Sequence, residues 1–292
     1  MSRIIDFSDY GQLLALVHNS IIAGTVLGVV AGLISVFVVM RDLPFAVHGI
    51  SELSFAGAAG ALLFGVNIVV GSVVGSVVAA LAIGALGVRA RDRNSIIGVL
   101  MPFGLGLGVL FLALYHGRGA NKFGLLTGQI VSIDTPQLSA LVIVSVVVLL
   151  CLLAMWRPLV FASLDPQVAA ARGVPVRLLS PAFMLVLGLT VAMSIQIVGA
   201  LLVLSIVCTP AAAAMRVTAA PARVVLLSVL IAVASVVGGI LLALGSALPI
   251  SPYITTISFG CYLGCRAIAA VGRARAGRRR PARLRTTRRA RV

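Results

Sequence analysis

Between residues 13 and 40 the chain carries no charged side chain. A helix of about 20 apolar residues crosses the roughly 30 Å of hydrocarbon in a bilayer. Inside a bilayer every backbone N–H and C=O must be satisfied within the protein, which leaves helices and closed barrels as the spanning structures. Similar apolar runs recur at 44–65, 68–88, 96–116, 138–156, 224–244 and 253–270. None shows the polar–apolar alternation of a barrel strand. The expected fold is therefore all-α, a polytopic transmembrane helical bundle of eight or nine spans. Composition agrees: 61% of the residues are hydrophobic and 10% charged, against about 25% charged in soluble domains. No soluble domain fits between the runs. The chain divides into a transmembrane domain, 1–271, and a basic tail, 272–292, expected to be disordered. The start, MSRIIDFSDYGQ, carries Asp6 and Asp9 and no compact apolar stretch, so no cleavable signal peptide is expected.

The run 178–215 is longer than one span and short for two. Gln196 and Gly199 sit near its middle. Two short helices are expected, broken near 196–199, the first crossing and the second returning along a pore, because broken backbone at membrane depth is tolerated where it lines a cavity. Counted this way the chain makes nine crossings with its N-terminus outside. The arginine loops at 89–93, 157–177 and 216–223 and the tail then share the cytoplasmic side, as the positive-inside rule requires. In the third run, Gly71 and Gly75 are a small-xxx-small pair, which marks close helix packing without naming the partner. In the fourth, Pro102, Gly104, Gly106 and Gly108 suggest a kink.

One apolar run contains an ionisable pair. His48 and Glu52 are four residues apart in RDLPFAVHGISELSFAGAAG, so they share one helix face. Ionisable groups within a span are expensive and by default mark a site facing a protein-lined cavity. An imidazole nitrogen with a carboxylate oxygen suits zinc, manganese or ferrous iron and does not choose among them. Two donors do not complete a site. Asn67, Gln196, Ser51 and Cys208 are the further candidates, in falling order. His18 and His116 lie toward outer ends of spans, where an ion would enter. Cys151, Cys208, Cys261 and Cys265 form no Cys-x-x-Cys unit and read as small buried hydrophobes.

A second motif lies in RPLVFASLDPQVAAARGVPVR. Asp165 is a good N-cap and Pro166 a good first helical residue. Gly173 suits the position after a helix end, and Pro175 blocks continuation. A two-turn helix over 166–172 is expected between two spans, comprising Pro166, Gln167, Val168, Ala169 and Ala170. Equally informative is what is missing. No Gly-x-x-x-x-Gly-Lys-Ser/Thr phosphate cradle exists, since Lys122 follows Asn121. Neither His-Glu-x-x-His nor Gly-x-Ser-x-Gly occurs. No catalytic residue and no permanently bound cofactor is expected, and any ATP hydrolysis must belong to another subunit.

These motifs, in this order, resemble the permease subunit of the zinc/manganese-type metal-ion ABC importer family. In that family an arginine precedes Gly-Asp, two small or apolar residues, Ser-His and a small-residue run. Arg41, Ser51 and residues 56–60 match, while the family's Asp falls on His48 and its His on Glu52. The 165–173 segment resembles the family's Phe-Asp-Pro-Glu-x-Ala run followed by Ala-x-Gly. Pro210 to Ala214 resembles its Pro-Ala-Ala-x-Ala end. The resemblance implies the vitamin B12/metal-type permease fold in the bacterial plasma membrane, working as a homodimer. It further implies two copies of an ATP-binding subunit below, an extracytoplasmic metal-binding protein above, and a divalent metal ion as cargo. The 166–172 helix would dock into the ATPase, and a bulky charge at Ala169 should block it. A proton-coupled secondary carrier working through His48 and Glu52, or a transport-inactive homologue, are the alternatives the residues leave open.

The net charge of +16 reflects mainly the arginines crowded into 273–292. A polybasic segment beside a span suits the anionic inner leaflet, so membrane lipids are its expected partner. Nucleic acid is not, because the tail has neither aromatic side chains nor a fold.

Overall fold

The computed structural model describes residues 17–86, 90–117, 124–126, 128, 135–244 and 249–278. Within these the chain forms helices and no strand. Helix α1 spans His18–Met40, α2 Pro44–Phe64, α3 Ile68–Leu86, α4 Ala90–Leu114, α5 Thr135–Leu164, α6 Pro166–Ala171, α7 Val176–Val198, α8 Val203–Val207, α9 Thr209–Val217, α10 Pro221–Leu244 and α11 Ile250–Arg278. Among the described residues, eight helices are long and apolar enough to cross a membrane: α1 to α5, α7, α10 and α11.

The broken region differs in proportion from the expectation. Its first half is a full span, α7, of 23 residues. The chain then breaks at Gly199, whose φ of 83° lies in the left-handed region, where glycine has no Cβ to strain. One 3₁₀ turn, Ala200–Leu202, leads into the short helices α8 and α9. Ala211 and Ala214 of α9 pack with Val36 and Met40 at the end of α1 and with Val224 at the start of α10. The short pair therefore returns to the end of the bundle where α1 finishes and α10 begins. The nine passes become eight long helices plus this short return, and the turns after α1, α5 and α9 gather at one end.

Other boundaries also shift. The backbone is already helical at Ala90, so Arg91 and Arg93 belong to the start of α4 rather than to a loop. Helix α5 runs on past Trp156, through Pro158, to Leu164. Helix α11 continues to Arg278, seven residues into what the sequence suggested was tail. Residues 279–292 lie outside the described residues, as do Lys122, Gln129 and Asp134 between α4 and α5.

The tightest packing surrounds α2. A Cβ at Gly71 would collide with the Gly57 carbonyl oxygen, and one at Gly75 with that of Leu53. The partner of the small-residue pair on α3 is thus α2. On the opposite flank, Gly104 and Gly108 of α4 meet Leu53 and Phe55 in the same way. Helix α4 runs unbroken through Pro102, and those glycines are sites of close approach rather than of breakage. Serines join the layers. Ser54 donates to the Ser72 carbonyl at 2.8 Å, and Ser72 to the Ala192 carbonyl at 3.2 Å, linking α2, α3 and α7. Ser228 of α10 donates to the Gly32 carbonyl of α1 at 2.7 Å. Such bonds average about 0.6 kcal/mol in membrane proteins, so they fix register more than they add stability.

Candidate metal site and partner-facing helix

Helix α2 starts with Pro44 in its first turn, where a missing N–H costs nothing, and stops at Gly65, which is left-handed with φ 69°. Between these limits His48 Nε2 stands 3.7 Å from Glu52 Oε1. The imidazole is partly open, with 34% of its side chain exposed, whereas the carboxylate is 4% exposed. Glu52 Oε2 is buried with no hydrogen-bond partner. A buried, unsatisfied carboxylate oxygen carries a full desolvation cost, and a cation would offset it. Two donors on one tetrahedral ion at about 2.1 Å stand roughly 3.4 Å apart, close to the separation found. The pair can therefore present one nitrogen and one oxygen to the same ion without moving the backbone.

Of the remaining candidates, Asn67 and Cys208 do not join this pair. Asn67 follows the end of α2, roughly 18 Å of helix rise beyond Glu52, and its Oδ1 accepts from Val69 N at 2.8 Å, capping the start of α3. It sits in the turn between α2 and α3. Ser51 sits beside Glu52 in sequence but one helix position round. Its hydroxyl is buried and donates to the Ala200 carbonyl at 2.8 Å, tying α2 to the broken segment. Gln196 is half-buried in the last turn of α7, just before the break. Cys208 forms the joint between α8 and α9. Its carbonyl accepts from Ser35 of α1 at 3.3 Å, and the same hydroxyl accepts from Ala211 N. Among the described residues no group of three His, Cys, Asp or Glu side chains comes together.

The sequence reading missed the carbonyls at the break. Val198 O accepts from Ser251 of α11 at 2.6 Å, and Ala200 O from Ser51. A helix break frees carbonyls that need donors, so Gly199 inside a long apolar run was the signal, and serines on other spans were the answer.

Helix α6 has the predicted local chemistry. Asp165 is extended, and its carboxylate accepts from Gln167 N and Val168 N at 3.0 Å each. The helix ends after Ala171, one residue early, with Arg172 as C-cap and Gly173 left-handed at φ 84°. Gln167, Val168 and Ala170 are exposed, but Ala169 is fully buried against its own chain. The face available to another protein is that of Gln167, Val168 and Ala170. Ala169 faces the permease itself.

Residues 14–269 match the model of the ABC 3 transport family. The manganese transport system membrane protein MntC of Halalkalibacterium halodurans is 28% identical over 241 residues, covering 82% of each chain. The high-affinity zinc uptake system membrane protein ZnuB of Haemophilus influenzae is 26% identical over 225 residues, 77% of this chain and 86% of that one. Among solved structures, PsaBC from Streptococcus pneumoniae in complex with Fab superposes with a TM-score of 0.79 at 22% identity, over 89% of this chain and 95% of that chain. A metal-chelate type ABC transporter in an inward-facing conformation gives a TM-score of 0.69 at 20% identity, over 89% and 92%. The match spans the whole bundle, from α1 to α11, so the chain is a multi-pass membrane protein of the ABC 3 transport family.

Proposed function

We propose that this chain is the permease subunit of an ABC importer for a divalent transition-metal ion, manganese, zinc or ferrous iron. The observation that carries the reading is the His48–Glu52 pair: an imidazole and a buried, unsatisfied carboxylate oxygen 3.7 Å apart on the most enclosed span. Relatives whose names specify manganese and zinc support the same class of cargo. A third and fourth donor come from water or from a second copy of the chain. Incomplete enclosure suits a site that must release its ion.

In this reading the chain works as a homodimer with two copies of a separate ATP-binding subunit. That subunit binds against the exposed side of α6, and an extracytoplasmic metal-binding protein delivers the ion from the opposite end. The end that gathers Arg157, Arg172, Arg177, Arg216 and Arg223 faces the cytoplasm. ATP binding and hydrolysis alternate the access of the His48–Glu52 pair between the two sides. Metal-dependent uptake and growth rescue, tested separately with manganese, zinc and iron, examine the proposal. Uptake of one or more of these that depends on the ATPase subunit is expected. Uptake that persists without the ATPase and follows a proton gradient would instead establish a secondary carrier.

A further inference from the structure

Where α7 ends, the break is held by contacts from other parts of the fold. Gly199 stands at φ 83° and ψ 158°, a region open almost only to glycine. A Cβ there would also meet the Leu126 carbonyl oxygen and the Gly128 N, and one at Gly128 would meet the Ile197 carbonyl oxygen. Leu126 and Gly128, from the connection between α4 and α5, thus lie against the break. The carbonyls on either side of Gly199 are taken by serines of other spans. Ser251 of α11 donates to Val198 O at 2.6 Å, and Ser51 of α2 donates to Ala200 O at 2.8 Å.

The two serines do the same chemistry from different places. Ser251 is the second residue of α11. Ser51 is the residue before Glu52, and it is 1% exposed. The Glu52 side chain has little of its own to hold it. Its Oε2 has no hydrogen-bond partner, and its Oε1 is 3.7 Å from His48 Nε2, beyond hydrogen-bond length. Where the carboxylate stands therefore follows from the backbone that carries it.

That backbone is gripped on opposite sides. Gly75 of α3 and Gly104 of α4 come so close that a Cβ on either would strike the Leu53 carbonyl oxygen or the Glu52–Leu53 peptide. Successive residues turn by about 100° around a helix, so residue 53 lies nearly opposite residue 51. The glycines press on one side, and the Ser51 bond holds the other. With side chains reaching about 5 Å from the helix axis, a rotation of α2 by about 20° would carry the carboxylate about 2 Å. Metal–ligand distances tolerate only about 0.2 Å.

We propose that Ser51 is a positioning residue for the ion site. By holding Ala200 O it fixes the rotation of α2 and keeps Glu52 where it can share an ion with His48. Ser51 supplies no donor to the ion. The same bond satisfies a carbonyl that the break leaves free, so one contact holds both the break and the carboxylate. The inference rests on His48 and Glu52 being the ion site.

The test is a metal titration of the purified permease bound to its ATP-binding subunit, without nucleotide, using Mn²⁺ and Zn²⁺ separately. Ser51→Ala should raise the Kd of the tighter ion about tenfold, the low end of what an outer partner contributes to metal affinity. Ser51→Thr, which keeps the hydroxyl, should restore most of the loss. Ser251→Ala orphans the other carbonyl of the same break. It should lower the melting temperature as Ser51→Ala does, yet leave the Kd near the parental value. In a Glu52→Gln background, Ser51→Ala should raise the Kd much less than in the parent, because a residue acting through Glu52 is not additive with it. Equal rises from Ser51→Ala and Ser251→Ala would make the bond a general strut and overturn the proposal, as would a parental Kd in Ser51→Ala. An undiminished rise in the Glu52→Gln background would make the hydroxyl an ion ligand in its own right and also overturn it. If the parent binds neither ion, or Glu52→Gln alone leaves the Kd unchanged, the metal reading itself fails and this inference with it.

Discussion

Helices α2 and α11 carry similar sequence features in opposite surroundings. In both, small residues recur four apart: Gly57 and Ala61 on α2, Gly260 and Gly264 on α11. On α2, Gly57 approaches the backbone of Gly71 so closely that no Cβ fits, whereas a Cβ at Gly260 or Gly264 would meet nothing within 4 Å. Of the apolar window of α2, 78% is buried inside the chain; of α11, 11%. Only an enclosed span can hide a carboxylate from lipid, and α2 is the one that carries Glu52. The span with the open face bears Phe259, Leu263 and Ile268 on its exposed side, as lipid or a second chain requires. The same small-residue spacing thus means a tight internal contact in one place and an unfilled surface in the other.

The strongest way to break this contrast is to remove the polar pair. Glu52→Ala and His48→Ala should each lower metal uptake per molecule by at least about tenfold, the loss usual when a metal's ligand environment is disturbed. Protein abundance, measured by quantitative immunoblot, should hold for Glu52→Ala, because it removes a buried and unsatisfied oxygen. Loss of protein with normal uptake per molecule would make the pair structural. Combining His48→Asp with Glu52→His, which restores the family's usual order, should retain measurable uptake.

Packing gives the next largest effect. Gly75→Leu drives a side chain into the Leu53 carbonyl and should cost on the order of 1–3 kcal/mol or more, read as a lower melting temperature in detergent. Gly264→Leu, with open space around it, should leave that temperature unchanged. An equal loss from Gly264→Leu would mean that a second copy of the chain already packs there.

Helix α6 shows the contrast within a single turn. Val168→Asp, on the exposed side, should reduce transport-coupled ATP hydrolysis several-fold without altering the amount of protein. Ala169→Asp, one residue on, should reduce the amount of protein instead. If both variants hydrolyse ATP like the parent, α6 is not the ATPase contact. Asp165→Ala should fray the helix by about 1 kcal/mol and weaken coupling less than Val168→Asp does.

The smallest effect should come from the end of the chain. Deletion of 279–292 leaves α11 intact through Arg278 and removes a segment with too little apolar surface to pack. Uptake should remain near the parental rate. Failure of the shortened protein to assemble with its ATPase would place these arginines in the docking surface.

The sequence alone determined the spans, because each apolar run must satisfy its own backbone bonds in the bilayer and so declares itself locally. Local chemistry also specified α6: Asp165 next to Pro166 at its start and Gly173 beyond its end were readable without any partner. The four-residue spacing of His48 and Glu52 put both on one face for the same reason. Tertiary structure decided what periodicity cannot encode. It showed Gly71 and Gly75 packed on α2 and Ala169 turned inward. It assigned the Ser51 hydroxyl to the Ala200 carbonyl, a contact between residues 149 positions apart. Each of these depends on which helices meet and how they are rotated. That is fixed by steric fit between distant segments, and in lipid no hydrophobic stripe records it in the sequence.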